Sequence, residues 1–147
     1  MTLLVTIDQD LLRAAKNNEP SVRDTLRGLK SAIKNSEIAK GHVLSDEEII
    51  DVLAKEVKQR NESIAAFTTG GRPELAEKEQ AEIDILKKYL PEQMDEDEVR
   101  ALVDQTIAEV GATTIQEMGK VMGALTSKLK GKADMGLVSR LVAEKLQ

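Results

Sequence analysis

The sequence predicts an all-α protein, and three observations support this prediction. Apolar residues recur every three or four positions along most of the 147 residues, which is the spacing of one face of an α-helix. No stretch combines the alternating pattern of a strand with a hairpin turn. Phe67 and Tyr89 are the only aromatic residues, so the core must consist of aliphatic side chains and methionine, as in helix bundles.

Four helices are predicted before Pro91, because proline suits a first helical position, glycine suits a helix end and Ser45 to Glu48 form a capping box. In chain order they cover residues 3–17, Pro20 to Gly41, Ser45 to Gly70-Gly71 and Pro73 to Pro91. The stripes predicted to face the core are Leu4, Ile7, Leu11, Leu12 and Ala15; Val22, Leu26, Leu29, Ile33 and Ile38; Ile49, Leu53, Val57, Ile64 and Phe67; and Leu75, Ile83, Leu86 and Leu90.

Three more helices are predicted after the segment Pro91-Glu92-Gln93-Met94. Proline stops one helix there, and Asp95 to Glu98 place acids at the positive end of the next. This segment therefore divides an N-terminal four-helix domain, residues 1–91, from a C-terminal three-helix bundle, residues 95–147. The later helices begin near Asp95, at Thr113 or Thr114, and at Asp134. Their predicted core stripes are Val99, Leu102, Val103, Thr106, Ile107 and Val110; Ile115, Met118, Met122, Leu125 and Leu129; and Leu137, Val138, Leu141, Val142 and Leu146.

Composition excludes several classes of protein. The absence of cysteine rules out disulfides and thiolate chemistry, and the only histidine, His42, is predicted to be a solvated loop residue. No run of about 18 apolar residues predicts a membrane span. The N-terminus has neither a basic leader nor a cleavage site, so we expect a cytoplasmic protein. We expect no bound metal and no cofactor.

The residues from Met118 to Asp134 concentrate lysine and glycine in an otherwise acidic chain. Ile115 to Gln147 carries six basic and three acidic residues, whereas the whole chain has a net charge of −5. Gly119 and Gly123 share one helix face, where each costs about 1 kcal/mol relative to alanine. Two gains would offset that cost: close packing of another helix, which the residues alone favour, or close approach of a phosphate–sugar backbone.

The lysines of this segment also have two interpretations. Lys128, Lys130 and Lys132 surround Gly131 at a predicted helix end, where cations stabilise the helix dipole and glycine is a common cap. The alternative is a positively charged site that binds an anion at the start of the next helix. Asp134 opposes this alternative, because its carboxylate would occupy the same N–H groups.

The segment from Met118 to Leu146 resembles the tail of the GatB/YqeY family, and the resemblance extends over essentially the whole chain. The matching stretches are Gly119-Lys120-Val121-Met122, Lys128 to Lys130, Gly131-Lys132-Ala133-Asp134, the helix Leu137 to Leu146, Lys58-Gln59-Arg60-Asn61-Glu62-Ser63, Gly71-Arg72 and Tyr89-Leu90-Pro91-Glu92-Gln93. The tail alone is shared with GatB, whereas the two longer N-terminal strings are similar to stand-alone YqeY proteins.

The resemblance implies a helical translation protein that binds tRNA or associates with a tRNA-handling enzyme. GatB is a subunit of the glutamine-dependent amidotransferase that amidates misacylated Glu-tRNA or Asp-tRNA, and its helical tail contacts tRNA. Related modules are appended to a glutaminyl-tRNA synthetase. The RNA-contact residues implied here are Gly119, Lys120, Gly123, Lys128, Lys130, Lys132 and Arg140. A possible second contact surface consists of Lys55, Lys58, Gln59 and Arg60.

Two other functions remain open. One is a protein–protein adaptor that does not bind RNA, with lysines that serve solubility. The other follows from the family's label, a carbon–nitrogen ligase with glutamine as amido-nitrogen donor. We expect no catalytic residues, because there is no Walker loop and no Ser-Ser-Lys arrangement, and the acids at helix starts are explained by capping. Tyr89 is expected to pack between the two domains.

Overall fold

The computed structural model describes residues 2–147, which form seven α-helices and one short 3₁₀ turn and contain no strand. The all-α prediction is therefore confirmed. The helices are α1 (Leu3–Lys16), α2 (Pro20–Lys40), α3 (Asp46–Thr69), α4 (Pro73–Lys87), α5 (Glu96–Val110), α6 (Met118–Leu129) and α7 (Met135–Leu146), with the 3₁₀ turn at Ile115–Glu117. Across residues 2–147, none of these helices combines the length and the apolar character that crossing a membrane requires.

The chain forms two compact units, Met1–Leu90 and Pro91–Gln147. The first contains α1 to α4, and its aliphatic core is Ile7, Leu26, Leu29, Ile33, Leu44, Ile49, Leu53, Val57, Ile83 and Leu86. The second contains α5 to α7 around a core of Val99, Val103, Ala112, Val121, Leu125, Leu129, Val138, Leu141, Val142 and Leu146. Each unit thus buries one continuous aliphatic cluster.

The capping box at the start of α3 forms as predicted. The Ser45 hydroxyl accepts from the Glu48 N–H at 3.3 Å, and the Glu48 carboxylate accepts from the Ser45 N–H at 3.1 Å. Lys40 Nζ and His42 Nε2 reach the same carboxylate at 2.9 and 3.0 Å. The Ser45 N–H, then Lys40 and His42, lower the pKa of Glu48 to about 2. His42 is therefore exposed, as predicted, but it contacts a carboxylate rather than solvent alone.

Two helix boundaries differ from the prediction. α4 ends at Lys87, before a tight turn in which the N–H groups of Tyr89 and Leu90 bond to carbonyls three residues earlier. α6 begins only at Met118, because neither Thr113 nor Thr114 caps it with a side chain. Both threonine hydroxyls instead donate to the Glu117 carboxylate, at 3.3 and 3.4 Å.

Four side chains placed in the core by the predicted stripes are exposed. They are Leu12, Ala15, Ile38 and Ile115. In α1 the buried stripe turns through Ala14 instead of Ala15, and in α6 it passes through Val121, which the prediction omitted. In these two helices the buried stripe is shifted by one position, because the face that a helix turns toward the core depends on the helices packed against it.

Tyr89 belongs to the first unit. Its hydroxyl donates to Asp10 Oδ2 on α1 at 2.6 Å, and its ring lies against the core of that unit. Burial, and then the Asp10 carboxylate, raise the pKa of the Tyr89 phenol far above its usual range. The side chain therefore fixes the end of the first unit to α1.

Candidate nucleic-acid interface

One face of α6 is free of bulky side chains. Val121, Leu125 and Leu129 point into the core of the second unit. The opposite side carries Gly119, Gly123, Thr126 and Ser127, all exposed, and we call these four residues the open face. The two hydroxyls donate to backbone carbonyls of α6, Thr126 to Met122 at 2.7 Å and Ser127 to Ala124 at 3.2 Å. The open face is therefore smooth, with its side chains held against the helix.

Neither helical glycine serves packing within the second unit. A Cβ added to Gly119 or Gly123 would meet no neighbouring heavy atom within 4 Å. The interpretation favoured from the residues alone, that the missing Cβ atoms admit another helix, is therefore not confirmed within this unit. Close packing inside the unit does not offset the cost of two glycines in α6.

The lysines after α6 lie on a tight turn. Lys130 has φ −54° and ψ 119°, Gly131 has φ 74°, and the Lys132 N–H donates to the Leu129 carbonyl at 2.9 Å. These values define a type II β-turn, which requires a residue with positive φ at its third position and so favours glycine. We call Leu129–Lys132 the basic turn. Gly131 is thus required by the turn and is not a simple helix cap.

Two bonds attach the basic turn to the segment before α5. The Gln93 side-chain amide donates to the Gly131 carbonyl at 2.6 Å and to the Pro91 carbonyl at 2.9 Å. The Met94 N–H donates to the Lys132 carbonyl at 2.9 Å. Sequence reasoning missed this connection. The only available signal was that two of the strings that carry the family resemblance, around Gln93 and around Gly131, occur in the same chain.

The start of α7 is already capped. Asp134 is its N-cap, and Oδ1 accepts from the Gly136 N–H at 3.1 Å. The Asp134 carboxylate also occupies the space beside Gly136, at 3.4 Å from the position of an added Cβ. An anion would have to displace this carboxylate, so the start of α7 is a poor anion site.

The second unit as a whole is acidic, with seven basic and ten acidic residues between Pro91 and Gln147. Three of the basic side chains lie in ion pairs between α5 and α7: Arg100 and Arg140 with Glu96 and Glu144, and Lys145 with Asp104. Arg140, a predicted contact residue, is thus engaged by Glu96 at 3.2 Å. The structure places it with these pairs and not with the lysines of α6.

The remaining predicted lysines are all exposed on or beside α6. Lys128 Nζ lies 3.3 Å from Glu109 Oε2, and Gln105 and Lys128 together lower the pKa of Glu109. Lys120 and Lys132 have no ion-pair partner anywhere in residues 2–147. Within the second unit, Lys120 and Lys132 therefore place basic charge without a carboxylate partner beside the open face and in the basic turn.

The predicted second surface on α3 is divided by the fold. Arg60 faces α4, where its guanidinium lies 3.4 Å from Glu82 and 3.9 Å from Glu79. It also lies 2.7 Å from Glu56 of its own helix, and the Arg60 side chain is only 17% exposed. Burial, and then the charge of Glu82, raise the pKa of Glu79. Arg60 therefore offsets part of the charge of three carboxylates, and its guanidinium is already engaged by them.

Lys55 and Gln59 face the opposite side, toward α2. They line a groove of about 390 Å³ between α2 and α3, together with Ala32, Asn35, Ser36, Ala39, Val52 and Glu56. Lys58 is exposed on the outer surface of α3. The four residues of the predicted surface therefore do not form one site. Residues 2–147 contain no group of three or more His, Cys, Asp or Glu side chains placed to hold a metal ion.

Comparison with known proteins places the whole chain in one family. A family model described as Yqey-like protein matches residues 4–146. A protein named Altered inheritance of mitochondria protein 41, mitochondrial, from Saccharomyces cerevisiae strain S288c is 33% identical over 126 residues, which cover 81% of this chain and 68% of that protein. Proteins of the same name share 36% identity in Kluyveromyces lactis, over 80% of this chain and 68% of the relative, and 28% in Pyrenophora tritici-repentis, over 97% and 80%.

Proposed function

This chain belongs to the YqeY-like family, and on that premise we propose that it is a helical module that binds tRNA through α6 and the basic turn. Lys120, Lys128, Lys130 and Lys132 would contact phosphates. Gly119 and Gly123 would allow the sugar–phosphate backbone to approach the helix closely. Arg140 would add to the contact only by leaving its carboxylate partners.

The observation that carries the proposal is the open face next to uncompensated lysines. Gly119 and Gly123 have open space where a side chain would be, so no neighbour within the second unit requires a glycine there. Lys120 and Lys132 have no carboxylate partner within residues 2–147, although the unit is acidic overall. A smooth helix face with lysines at its edge suits a ligand with a continuous negative backbone.

Binding of this kind reads RNA shape more than sequence. Lysine contacts to phosphates give affinity that falls with salt, because counterions are released from the nucleic acid. Such contacts orient the RNA but carry no base information. The hydroxyls of Thr126 and Ser127 on the open face donate to carbonyls of their own helix, so they offer no donor for reading bases.

The test is binding of the purified protein to fluorescently labelled total tRNA across a salt series. Replacing Lys128, Lys130 and Lys132 by alanine should weaken binding about tenfold or more at low salt. The slope of the logarithm of the binding constant against the logarithm of the salt concentration should become shallower, by the amount expected for the loss of about two to three phosphate contacts. A matched variant removes three exposed lysines of the first unit, Lys16, Lys34 and Lys87. Equal effects of the two triple variants would contradict the proposed interface.

A protein–protein adaptor is the second candidate, because an open glycine face also lets a partner helix approach closely. Absence of tRNA binding by the wild-type protein at low salt would favour it over the RNA module. A pull-down that retains a synthetase or amidotransferase after nuclease treatment would support it directly. The third candidate, a free-standing ligase, would be established if the chain alone converted Glu-tRNA with glutamine and ATP.

The cellular compartment remains a prediction. Sequence analysis predicts a cytoplasmic protein, whereas the shared name of the fungal relatives assigns those proteins to mitochondria. A tRNA-binding module would serve translation in either compartment. Fractionation of the source cells would decide between them.

A further inference from the structure

Two of the strings that carry the family resemblance meet at one contact. Gln93 closes the string Tyr89-Leu90-Pro91-Glu92-Gln93, and Gly131 lies 38 residues later, in the basic turn. The Gln93 amide holds the Gly131 carbonyl at 2.6 Å, while the Met94 N–H holds the Lys132 carbonyl at 2.9 Å. The consecutive carbonyls of Gly131 and Lys132 are therefore both held by donors from outside the turn.

From this contact we infer that Gln93 is a positioning residue for the basic turn, and that it acts on RNA binding through Lys130 and Lys132. The inference rests on the proposed function. Gln93 carries no charge, and its amide donates to two backbone carbonyls, those of Pro91 and Gly131. Its role is to hold the turn in one conformation, so that its lysines are ordered before the ligand arrives.

The physical reason is the cost of ordering side chains and loops on binding. A turn already held in its bound conformation loses less conformational entropy when the ligand binds, so affinity rises without any new contact. α6 ends at Leu129, where the basic turn begins, and only Ala133 and Asp134 separate this turn from α7. Removing the Gln93 donor leaves the Met94 bond in place, so the expected effect is moderate.

Gln93→Met removes the amide and keeps the length of the side chain. Because Gln93 is exposed, the variant should fold normally. We expect tRNA affinity to fall about two- to tenfold, which is the range for loss of one hydrogen bond. Gln9→Met, at an exposed position of α1, is the matched control and should leave affinity unchanged.

A double-mutant cycle separates positioning from direct contact. If Gln93 acts through the lysines, Gln93→Met should change affinity less than twofold in the background that lacks Lys128, Lys130 and Lys132. An equal loss in both backgrounds would overturn the inference, as would wild-type affinity in Gln93→Met.

A second readout does not depend on RNA. In ¹⁵N relaxation measurements, the backbone order parameters of Gly131 and Lys132 should fall in Gln93→Met and stay unchanged in Gln9→Met. Unchanged order in the basic turn would overturn the inference even if tRNA binds. If wild-type protein fails to bind tRNA but Gln93→Met loosens the turn, the proposed function fails and the positioning of the turn by Gln93 stands.

Discussion

Arg60 on α3 and Lys132 in the basic turn both belong to motif strings, yet their surroundings are opposite. Arg60 is mostly buried and contacts three carboxylates of α3 and α4. Lys132 is exposed, and within residues 2–147 no carboxylate pairs with it. The charge of Arg60 is used by the fold, whereas the charge of Lys132 is available to a ligand. A basic residue in a motif is therefore a stronger candidate for a binding site when the fold leaves it without acidic partners.

The largest expected effect is on the stability of the first unit. Arg60→Ala would leave Glu56, Glu79 and Glu82 without their shared cation, so we expect the free energy of unfolding to fall by about 2 kcal/mol, between the values for exposed and buried ion pairs. Urea unfolding followed by circular dichroism measures this. Lys58→Ala, two positions earlier on the exposed surface of α3, is the control and should change stability little.

The same variant has a defined pH dependence. The pKa of Glu79 is raised by burial and by Glu82 even with Arg60 present, and loss of Arg60 should raise it further. A carboxyl with a raised folded-state pKa destabilises the fold when ionised, and this cost disappears as pH falls through that value. The deficit of Arg60→Ala should therefore shrink from about pH 7 to about pH 4. A constant deficit would mean that Arg60 acts by packing alone.

A smaller effect of opposite sign is expected in α6. Gly123→Ala should raise the free energy of unfolding by about 0.5–1 kcal/mol, because alanine is the better helix former and the added Cβ meets open space. Gly28→Ala in α2 should be similarly stabilising, since Gly28 is also helical and open. Destabilisation by Gly123→Ala alone would mean that the open face packs against something in the free protein.

The smallest effect distinguishes lysines within the interface. Lys128 shares its charge with Glu109, whereas Lys132 has no acidic partner in the described part of the chain. Lys132→Ala should therefore weaken tRNA binding more than Lys128→Ala, by about two- to threefold. Glu109→Gln should slightly strengthen binding, because it frees Lys128. The reverse order of the two lysine variants in the same salt series would show that ion pairing does not set their contributions.

Local signals in the sequence predicted most of the helix boundaries. Pro20 and Pro73 begin helices, Gly41 and Gly111 end them with positive φ, and the Ser45 capping box forms both of its bonds. These features depend on residues within one turn of each other. A local pattern can therefore be read directly from the chain.

The sequence could not predict features that depend on distant residues. Arg60 meets Glu82, 22 positions later, and Gln93 meets Gly131, 38 positions later. The exposure of Ile38 likewise depends on which neighbours α2 has, because its own stripe continues to that position. For the candidate site, the sequence identified the lysines and glycines, but the residues alone left open whether another helix packs against the glycines. Only the three-dimensional surroundings showed that no helix of the second unit uses the space beside them.

The proposed function requires that the open face of α6 be accessible to the RNA backbone. The most direct measurement is the tRNA affinity of Gly123→Leu, with Gly28→Leu as the control on α2. Leucine should be accommodated in both helices without loss of folding. We predict that Gly123→Leu binds tRNA about tenfold more weakly, which corresponds to about 1.4 kcal/mol, while Gly28→Leu binds like the wild type. Wild-type affinity in Gly123→Leu would contradict the claim.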